Sequence, residues 1–204
     1  MCIRDRRWNV MIIVIMIISM MIGAFGGLAE NSIRRVLGYQ MLNGMPFILV
    51  MLAFTSDDPR RALAAGIMYT IHHMLTVGSL ILASGAIEET YGTGLLSKLS
   101  GLARRDPIIA WIFAAGAFSV VGFPPFSGMW GKLMIVFEIA RVGSAWAWIA
   151  IAAIIIASFA AFLAMLRVWR KVFWGKGLPE DKVPDELVIR KKLMAPCLLY
   201  TSDA

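Results

Sequence analysis

Apolar residues in this chain lie in five long runs that contain no Asp, Glu, Lys or Arg. The runs are 20 to 26 residues long and cover residues 10–29, 36–56, 62–87, 107–131 and 142–166. A helix needs about 20 apolar residues to cross the hydrocarbon core of a bilayer. The strict alternation of apolar and polar residues that is typical of a membrane β-barrel is absent. The pattern therefore predicts an all-α polytopic membrane protein with five transmembrane helices, because lipid offers the backbone no hydrogen-bond partners.

The fourth apolar segment is too long for one straight helix. Residues 107–140 would span about 51 Å as a continuous helix, whereas the hydrocarbon core is about 30 Å thick. Pro125 removes a backbone donor and holds Pro124 in extended geometry, and flanking glycines allow the chain to turn. We therefore predict two half-helices at 108–121 and 129–140, joined by "GFPPFSG". Four residues are assigned to the break: Gly122, Pro124, Pro125 and Gly128. The other spans are predicted at about 10–29, 36–56, 62–87 and 144–167.

The overall composition agrees with a membrane class. Hydrophobic residues make up 59% of the 204 residues and charged residues 16%, whereas about 25% are charged in soluble domains. The net charge of +7 does not favour nucleic-acid binding, because the basic residues lie in short loops between spans. No phosphate loop, dinucleotide fingerprint, metal-ligand cluster or hydrolase triad occurs in the sequence. We therefore expect neither a soluble catalytic site nor a cofactor nor a bound metal.

Lys and Arg residues are distributed unevenly between the two ends of the spans. Thirteen fall on the side that carries loops 30–35 and 88–106 and the segment after the last span. The other side carries six, three of them before the first span. The positive-inside rule predicts that the first side is cytoplasmic, including the C-terminal tail. The first span then begins on the outside, as in a segment of a longer protein.

Both ends of the chain look unlike the rest. The segments "MCIRDR" and "CLLYTSDA" resemble translated adaptor sequence, so residues 1–6 and 197–204 are excluded from the fold prediction. Residues 7–175 are predicted to form the transmembrane domain, and 176–196 a basic cytoplasmic linker towards a further helix. A signal peptide over 10–27 is the alternative for the first span, and the length of its apolar run favours a span. Both cysteines lie in the excluded ends, so no disulfide or cysteine site is predicted.

Lys132 is the one basic residue within the fourth segment, and it follows the predicted break. In the first turn of the second half-helix, the positive end of the helix dipole and a low dielectric both disfavour a charged amine. A lysine that exchanges its proton readily can serve in a proton relay, and interrupted helices mark ion sites in transporters. The alternative is that the span ends near Ser127 and that Lys132 extends to the outer headgroups. Glu138 and Arg141 more simply form an ion pair near the outer surface than a relay.

Polar residues also occur within the intact spans. His72 and His73 lie in the middle of the third span and point about 100° apart, so they face different neighbours. Either could transfer protons near neutral pH, and the alternative is a neutral histidine bonded to an adjacent helix. Gln40 and Asn43 share one face of the second span. They either hold helices together or line a hydrated path.

Four motifs in order resemble one protein family over about residues 10–175. They are "AENSIRRVLGYQMLNGMPF", "YTIHHMLTVGSLILASGAIEE", "GAFSVVGFPPFSGMWGKLMI" and "LRVWRKVFWG". They resemble the antiporter-like membrane subunits of complex I-type NADH-quinone oxidoreductases and Mrp-type sodium/proton antiporters, and the last is most similar to the Mrp D subunit. The family fold is a bundle of about fourteen helices with two inverted five-helix repeats. The resemblance implies that this chain is a C-terminal fragment containing the second repeat.

The resemblance also implies a function. Lys132 stands where the family has a key lysine or glutamate, and His73, rather than His72, at the position of its histidine. A proton-translocating subunit of a multisubunit sodium/proton antiporter in the bacterial inner membrane is implied, with other membrane subunits and the lipid bilayer as partners, protons as cargo, sodium as a candidate second ion, and no cofactor. The alternatives are the proton-pumping subunit of a complex I-type enzyme and a membrane scaffold without transport. One departure is that Mrp D subunits often carry a lysine shortly after the histidine, near Val77 and Gly78 here.

Overall fold

The structure, a computed structural model, describes residues 3–54, 59–175 and 189, with side chains from residue 7 onward. Seven α-helices occur in these ranges: α1 (Ile3–Ala29), α2 (Ile33–Leu49), α3 (Pro59–Tyr91), α4 (Leu102–Arg105), α5 (Pro107–Val121), α6 (Ser127–Val142) and α7 (Ala145–Val168). A 3-10 turn (Val50–Phe54) extends α2, and a π-helical turn (Trp169–Phe173) extends α7. The predicted linker and tail fall outside the described residues, apart from Ile189. The backbone of α1 includes part of the segment that the sequence suggested to be adaptor-derived, and its origin stays a prediction.

The all-helical membrane class is confirmed. Four helical segments in the described ranges are long and apolar enough to cross a membrane: Arg7–Ala29, Ile33–Phe54, Pro59–Tyr91 and Ala145–Phe173. The fourth predicted segment is divided between α5, a shorter apolar helix, and α6. Large apolar side chains cover the outer surface of the bundle, as expected of lipid-facing residues.

Close helix packing depends on small residues. A Cβ atom on Gly23 of α1 would lie 2.8 Å from the Cα atom of Asn43, so α1 and α2 touch backbone to backbone. The inner face of α7 carries a row of buried alanines, among them Ala150, Ala157 and Ala164, and Phe159 lies exposed on its outer face. Membrane helices associate through such small-residue faces, because lipid removes the hydrophobic drive that operates in water.

The buried core consists of two apolar clusters, and α2, α3 and α7 contribute buried residues to both. One cluster contains Leu37, Leu80 and Phe113, and the other contains Phe47, Tyr69 and Ile135. The residues between the two clusters on α2, α3, α5 and α6 include the polar residues that the sequence singled out. These residues therefore form a polar layer inside the bundle, which we call the middle layer: Gln40, Asn43, His72, His73, Ser119, Ser127 and Lys132.

One end of the bundle is held by polar contacts between α1, α2, α3 and α7. Arg167 at the end of α7 donates hydrogen bonds to the carbonyls of Leu28 and Glu30 and to the side chain of Asn31. Arg34 pairs with Glu88 at 2.6 Å. The hydrogen bonds of Arg167 supply donors to carbonyls at the end of α1, which have no partner within that helix.

Candidate functional site

The fourth apolar segment is interrupted between Val121, where α5 ends, and Ser127, where α6 begins. Gly122 adopts a left-handed conformation with φ of 87°, and its N–H bonds back to the carbonyls of Phe118 and Ser119 at 3.1 Å. A side chain disfavours this conformation, and the two prolines that follow offer no donors. The Pro124–Pro125 peptide bond is cis. Carbonyls in the last turn of α5 are therefore left without helical partners.

Lys132 supplies one of the missing donors. Its Nζ atom donates to the Val121 carbonyl at 2.7 Å and to Ser158 Oγ on α7 at 3.3 Å. The same atom lies 5.4 Å from the centre of the Phe47 ring. The side chain is partly buried and points at the interruption.

The structure places Lys132 in a later turn of its helix than the sequence predicted. Lys132 is the sixth residue of α6, in its second turn, because the helix begins at Ser127 rather than near residue 129. Its ammonium group lies against the carboxyl end of α5, where the helix dipole presents its negative end. The carboxyl end of α5 therefore adds an attraction that the prediction from the sequence left out, because that prediction considered only the helix that carries the lysine.

His72 connects α3 to the interruption. Its Nδ1 atom lies 3.0 Å from Ser127 Oγ, and Ser127 Oγ lies 3.5 Å from Ser119 Oγ on α5. The Thr76 hydroxyl donates to the His72 carbonyl at 2.8 Å. A Cβ atom on Gly128 would overlap the Ser119 carbonyl, so only glycine allows α5 and α6 to approach this closely.

His73 has a different environment. Its side chain is 1% exposed and its ring stacks on Tyr69, with centroids 5.5 Å apart, and Tyr69 stacks in turn on Phe47 at 5.5 Å. A Cβ atom on Gly44 would overlap the His73 ring, so the ring rests directly on the backbone of α2. Among the described residues neither ring nitrogen has a hydrogen-bond partner, although the Met41 backbone lies close by.

Gln40 and Asn43 share this lack of partners. Gln40 is 0% and Asn43 4% exposed. Within the described part of the chain, both polar side-chain atoms of Gln40 and Oδ1 of Asn43 form no hydrogen bond. Gln40 faces α1, because its Nε2 atom is 3.7 Å from the point that a Cβ on Gly27 would occupy. Buried polar groups usually have partners, so these atoms are exceptions within the middle layer.

The structure joins some predicted site residues and separates others. His72 and Lys132 both contact the interruption, whereas His73 is connected to Lys132 only through contacts with the rings of Tyr69 and Phe47. Glu138 and Arg141 pair with one another at 3.8 Å, away from this site. No group of three or more His, Cys, Asp or Glu residues that could hold a metal occurs in the described ranges.

Several contributors were not found from the sequence. Ser119 and Ser127 stand on either side of "GFPPF", and a search for hydroxyl residues flanking the break would have found them. Ser158, Phe47 and Tyr69 gave no such signal, because they come to the site from other helices.

Comparison with known proteins decides the family. The family described as NADH:quinone oxidoreductase/Mrp antiporter, transmembrane region, matches residues 1–162. This chain belongs to that family. The resemblance inferred from the four motifs is therefore confirmed.

Similar proteins include subunits of sodium/proton antiporters and of NADH-quinone oxidoreductases. The chain is 31% identical over 160 residues to the D subunit of the Na(+)/H(+) antiporter of Bacillus subtilis (strain 168), covering 78% of this chain and 31% of that protein. It is 24% identical over 192 residues to the N subunit of the NADH-quinone oxidoreductase of Cupriavidus taiwanensis, covering 91% of this chain and 38% of that protein. The chain thus spans about a third of the length of these curated relatives.

Solved structures show the same fold. A chain of the Mrp complex from Dietzia sp. DQ12-45-1b superposes with a TM-score of 0.87 at 30% identity, over 98% of this chain and 44% of that chain. A chain of an archaeal membrane-bound sulfane sulfur reductase superposes with a TM-score of 0.86 at 20% identity, over 96% of this chain and 31% of that chain, which shows the fold alone.

Proposed function

We propose that this chain is part of a proton-translocating subunit of a multisubunit sodium/proton antiporter, and that Lys132, His72 and His73 relay protons within it. The similarity to the D subunits of two Na(+)/H(+) antiporters supports the antiporter. The contact between Lys132 Nζ and the Val121 carbonyl carries the assignment of the relay. It holds a titratable amine at a helix interruption inside the middle layer, where such residues occur mainly for a function.

The proposed relay has two parts. At the interruption, Lys132 exchanges a proton with water, and His72 passes protons through the Ser127 and Ser119 hydroxyls. On α2, Gln40 and Asn43 hold water that reaches His73. The rings of Tyr69 and Phe47 connect the two parts by contact, without hydrogen bonds. We assign the transfer from His73 towards Lys132 to His72, the preceding residue of α3.

We further propose that α5 and α6 act together as one discontinuous span, so that five spans form the second repeat of a larger bundle. The loops at 30–35 and 88–106 and the C-terminal tail would face the cytoplasm of a bacterial cell. Single cysteines in place of Lys98 and Arg141, with Cys2 and Cys197 replaced by serine, test this arrangement. A membrane-impermeant thiol reagent added outside intact cells should label position 141 and not 98, and the reverse pattern would refute it.

The relay is tested by Lys132→Ala in the full-length polypeptide, with proton flux measured in inverted membrane vesicles. We expect flux to fall to background while the complex assembles normally. Lys98→Ala removes an exposed lysine from a loop and should leave flux unchanged. Normal flux in Lys132→Ala would instead support a membrane scaffold without transport.

The proton-pumping subunit of a quinone oxidoreductase is the second candidate, because the oxidoreductase N subunit matches more of this chain than the antiporter D subunit does. Both candidates would use the same relay and differ in what drives it. Gene neighbours distinguish them, since one candidate predicts other antiporter subunits and the other predicts quinone-oxidoreductase subunits.

A further inference from the structure

The surface between α5 and α7 carries an apolar groove that the proposed relay does not use. The groove has a volume of about 410 Å³. Alanines of α5 line it together with larger side chains of α5, α7 and the turn that follows α7, among them Ala110, Ala114, Ala117, Phe118, Phe162 and Trp169. It follows α5 from Pro107 to Val121, about 21 Å at 1.5 Å per residue. One leaflet contributes about half of a hydrocarbon core about 30 Å thick, or about 15 Å, so the groove is long enough to hold the part of one acyl chain that lies in that leaflet.

The width of the groove restricts what can occupy it. Its volume spread over about 21 Å gives a mean cross-section of about 20 Å², or a width of about 4 to 5 Å. One hydrocarbon chain fits this width, because carbon atoms pack at about 3.5–4.0 Å. An α-helix with its side chains is about 10–12 Å wide, so a helix would lie over the groove and insert only side chains, whereas one acyl chain can lie within it.

A basic cavity adjoins the groove at the end of α7. It has a volume of about 370 Å³ and shares Leu166 with the groove, and its other lining residues are Leu163, Arg167, Arg170 and Lys171. Arg167 is bound to the end of α1 and to Asn31. The exposed side chains of Arg170 and Lys171 therefore supply the positive charge towards the membrane surface. No acidic residue lines either cavity in the described part of the chain.

We propose that the groove and the basic cavity together bind one anionic phospholipid. One acyl chain lies along the alanines of α5, and the phosphate contacts Arg170 and Lys171. Basic residues near the membrane surface attract anionic headgroups, which gives the site its charge selectivity. Trp169 and the exposed ring of Trp111 line the groove, and tryptophan favours the interface between lipid and water. This inference does not depend on the proposed transport function.

The test uses the full-length polypeptide, purified in detergent and titrated with phosphatidylglycerol or with phosphatidylcholine of the same acyl chains. Native mass spectrometry gives the apparent Kd of the first bound lipid. We expect tighter binding of phosphatidylglycerol. The double substitution R170Q/K171Q should weaken that binding about fivefold for each charge removed and leave phosphatidylcholine unaffected. The matched control R35Q/K98Q removes two charges outside both cavities and should change neither Kd.

A second pair of variants tests the groove itself. Ala117→Trp fills the groove and should weaken the binding of both lipids, and Ala117→Leu should have a smaller effect in the same direction. Three results would each overturn the proposal. They are equal Kd values for the two lipids, equal effects of R170Q/K171Q and R35Q/K98Q, and unchanged binding in a folded Ala117→Trp protein. Competition by inorganic phosphate alone would indicate a phosphate site, and a dimer that Ala117→Trp dissociates would indicate a second copy. Either result also overturns it.

Discussion

The two halves of the middle layer satisfy their polar groups in different ways. At the interruption, Lys132 and His72 have hydrogen-bond partners, in the Val121 carbonyl and the Ser127 hydroxyl. On the intact helices α2 and α3, Gln40 and His73 have none among the described residues. A broken helix exposes backbone carbonyls that side chains can use, whereas an intact helix uses its carbonyls internally. Polar side chains between intact helices must therefore find one another or water.

The two halves of the middle layer also differ in how easily they can accommodate an added side chain. A Cβ atom at Gly128 would meet the backbone of Ser119, whereas one at Gly44 would meet the ring of His73. A backbone segment held by Gly122 and two prolines cannot shift easily, but a ring can move with its side-chain torsions. Substitutions of the two glycines therefore test the contrast between the two halves.

The largest effect is expected for Gly128→Ala. The new methyl group would force α5 and α6 apart, and we expect the free energy of unfolding to fall by about 3 kcal/mol or more. Titration with a denaturing detergent, followed by circular dichroism, measures this change. Gly38→Ala is the matched control, because no atom outside its own helix lies within 4 Å of the added Cβ. The control should be neutral or stabilising by about 0.5–1 kcal/mol, and equal stabilities of both variants would refute the close contact.

Gly44→Ala should be less harmful. We expect a loss of about 1–3 kcal/mol in the free energy of unfolding, because the ring of His73 is displaced rather than the backbone. The same detergent titration on the double variant G44A/H73A tests the cause. Removing the ring should make Gly44→Ala less destabilising than it is in the parent chain, and strictly additive effects would mean that the two residues do not touch.

Gln40→Leu separates stability from transport. Replacing an unpartnered buried amide with an apolar group of similar size costs little and can stabilise, so we expect a change in stability below about 1 kcal/mol. Proton flux in the full-length polypeptide should fall, because water then loses its polar contacts. Gln40→Asn keeps an amide and should retain more flux. Full flux in Gln40→Leu would exclude this side chain from the relay.

Ser127→Ala should have the smallest effect. It removes the contact with His72, and hydrogen bonds between membrane helices contribute about 0.6 kcal/mol on average. Ser84→Ala is the control, since that hydroxyl donates to the Ile81 carbonyl of its own helix. A double-mutant cycle with His72→Phe gives the coupling between the two side chains. Coupling indistinguishable from zero would remove Ser127 from the relay.

Much of the architecture followed from the sequence. Long uncharged runs predicted membrane helices, because lipid offers polar groups no partners. The half-helices predicted at 108–121 and 129–140 compare with Pro107–Val121 and Ser127–Val142 in the structure. The prolines and glycines that divide them act through the local backbone, which explains why a short stretch of sequence was informative about where the break lies.

Only the tertiary structure decided which groups meet. Lys132 contacts Ser158, 26 positions away, and His72 contacts Ser127, 55 positions away. It also decided that the carboxyl end of α5 faces the Lys132 amine and that the rings of Tyr69 and Phe47 connect Lys132 to His73. Periodicity within one helix defines which residues share a face, but the rotation of that face towards its neighbours is set by close packing, such as the contact of Gly44 with His73. The sequence by itself therefore determined the spans and the interruption, and packing between helices determined the site.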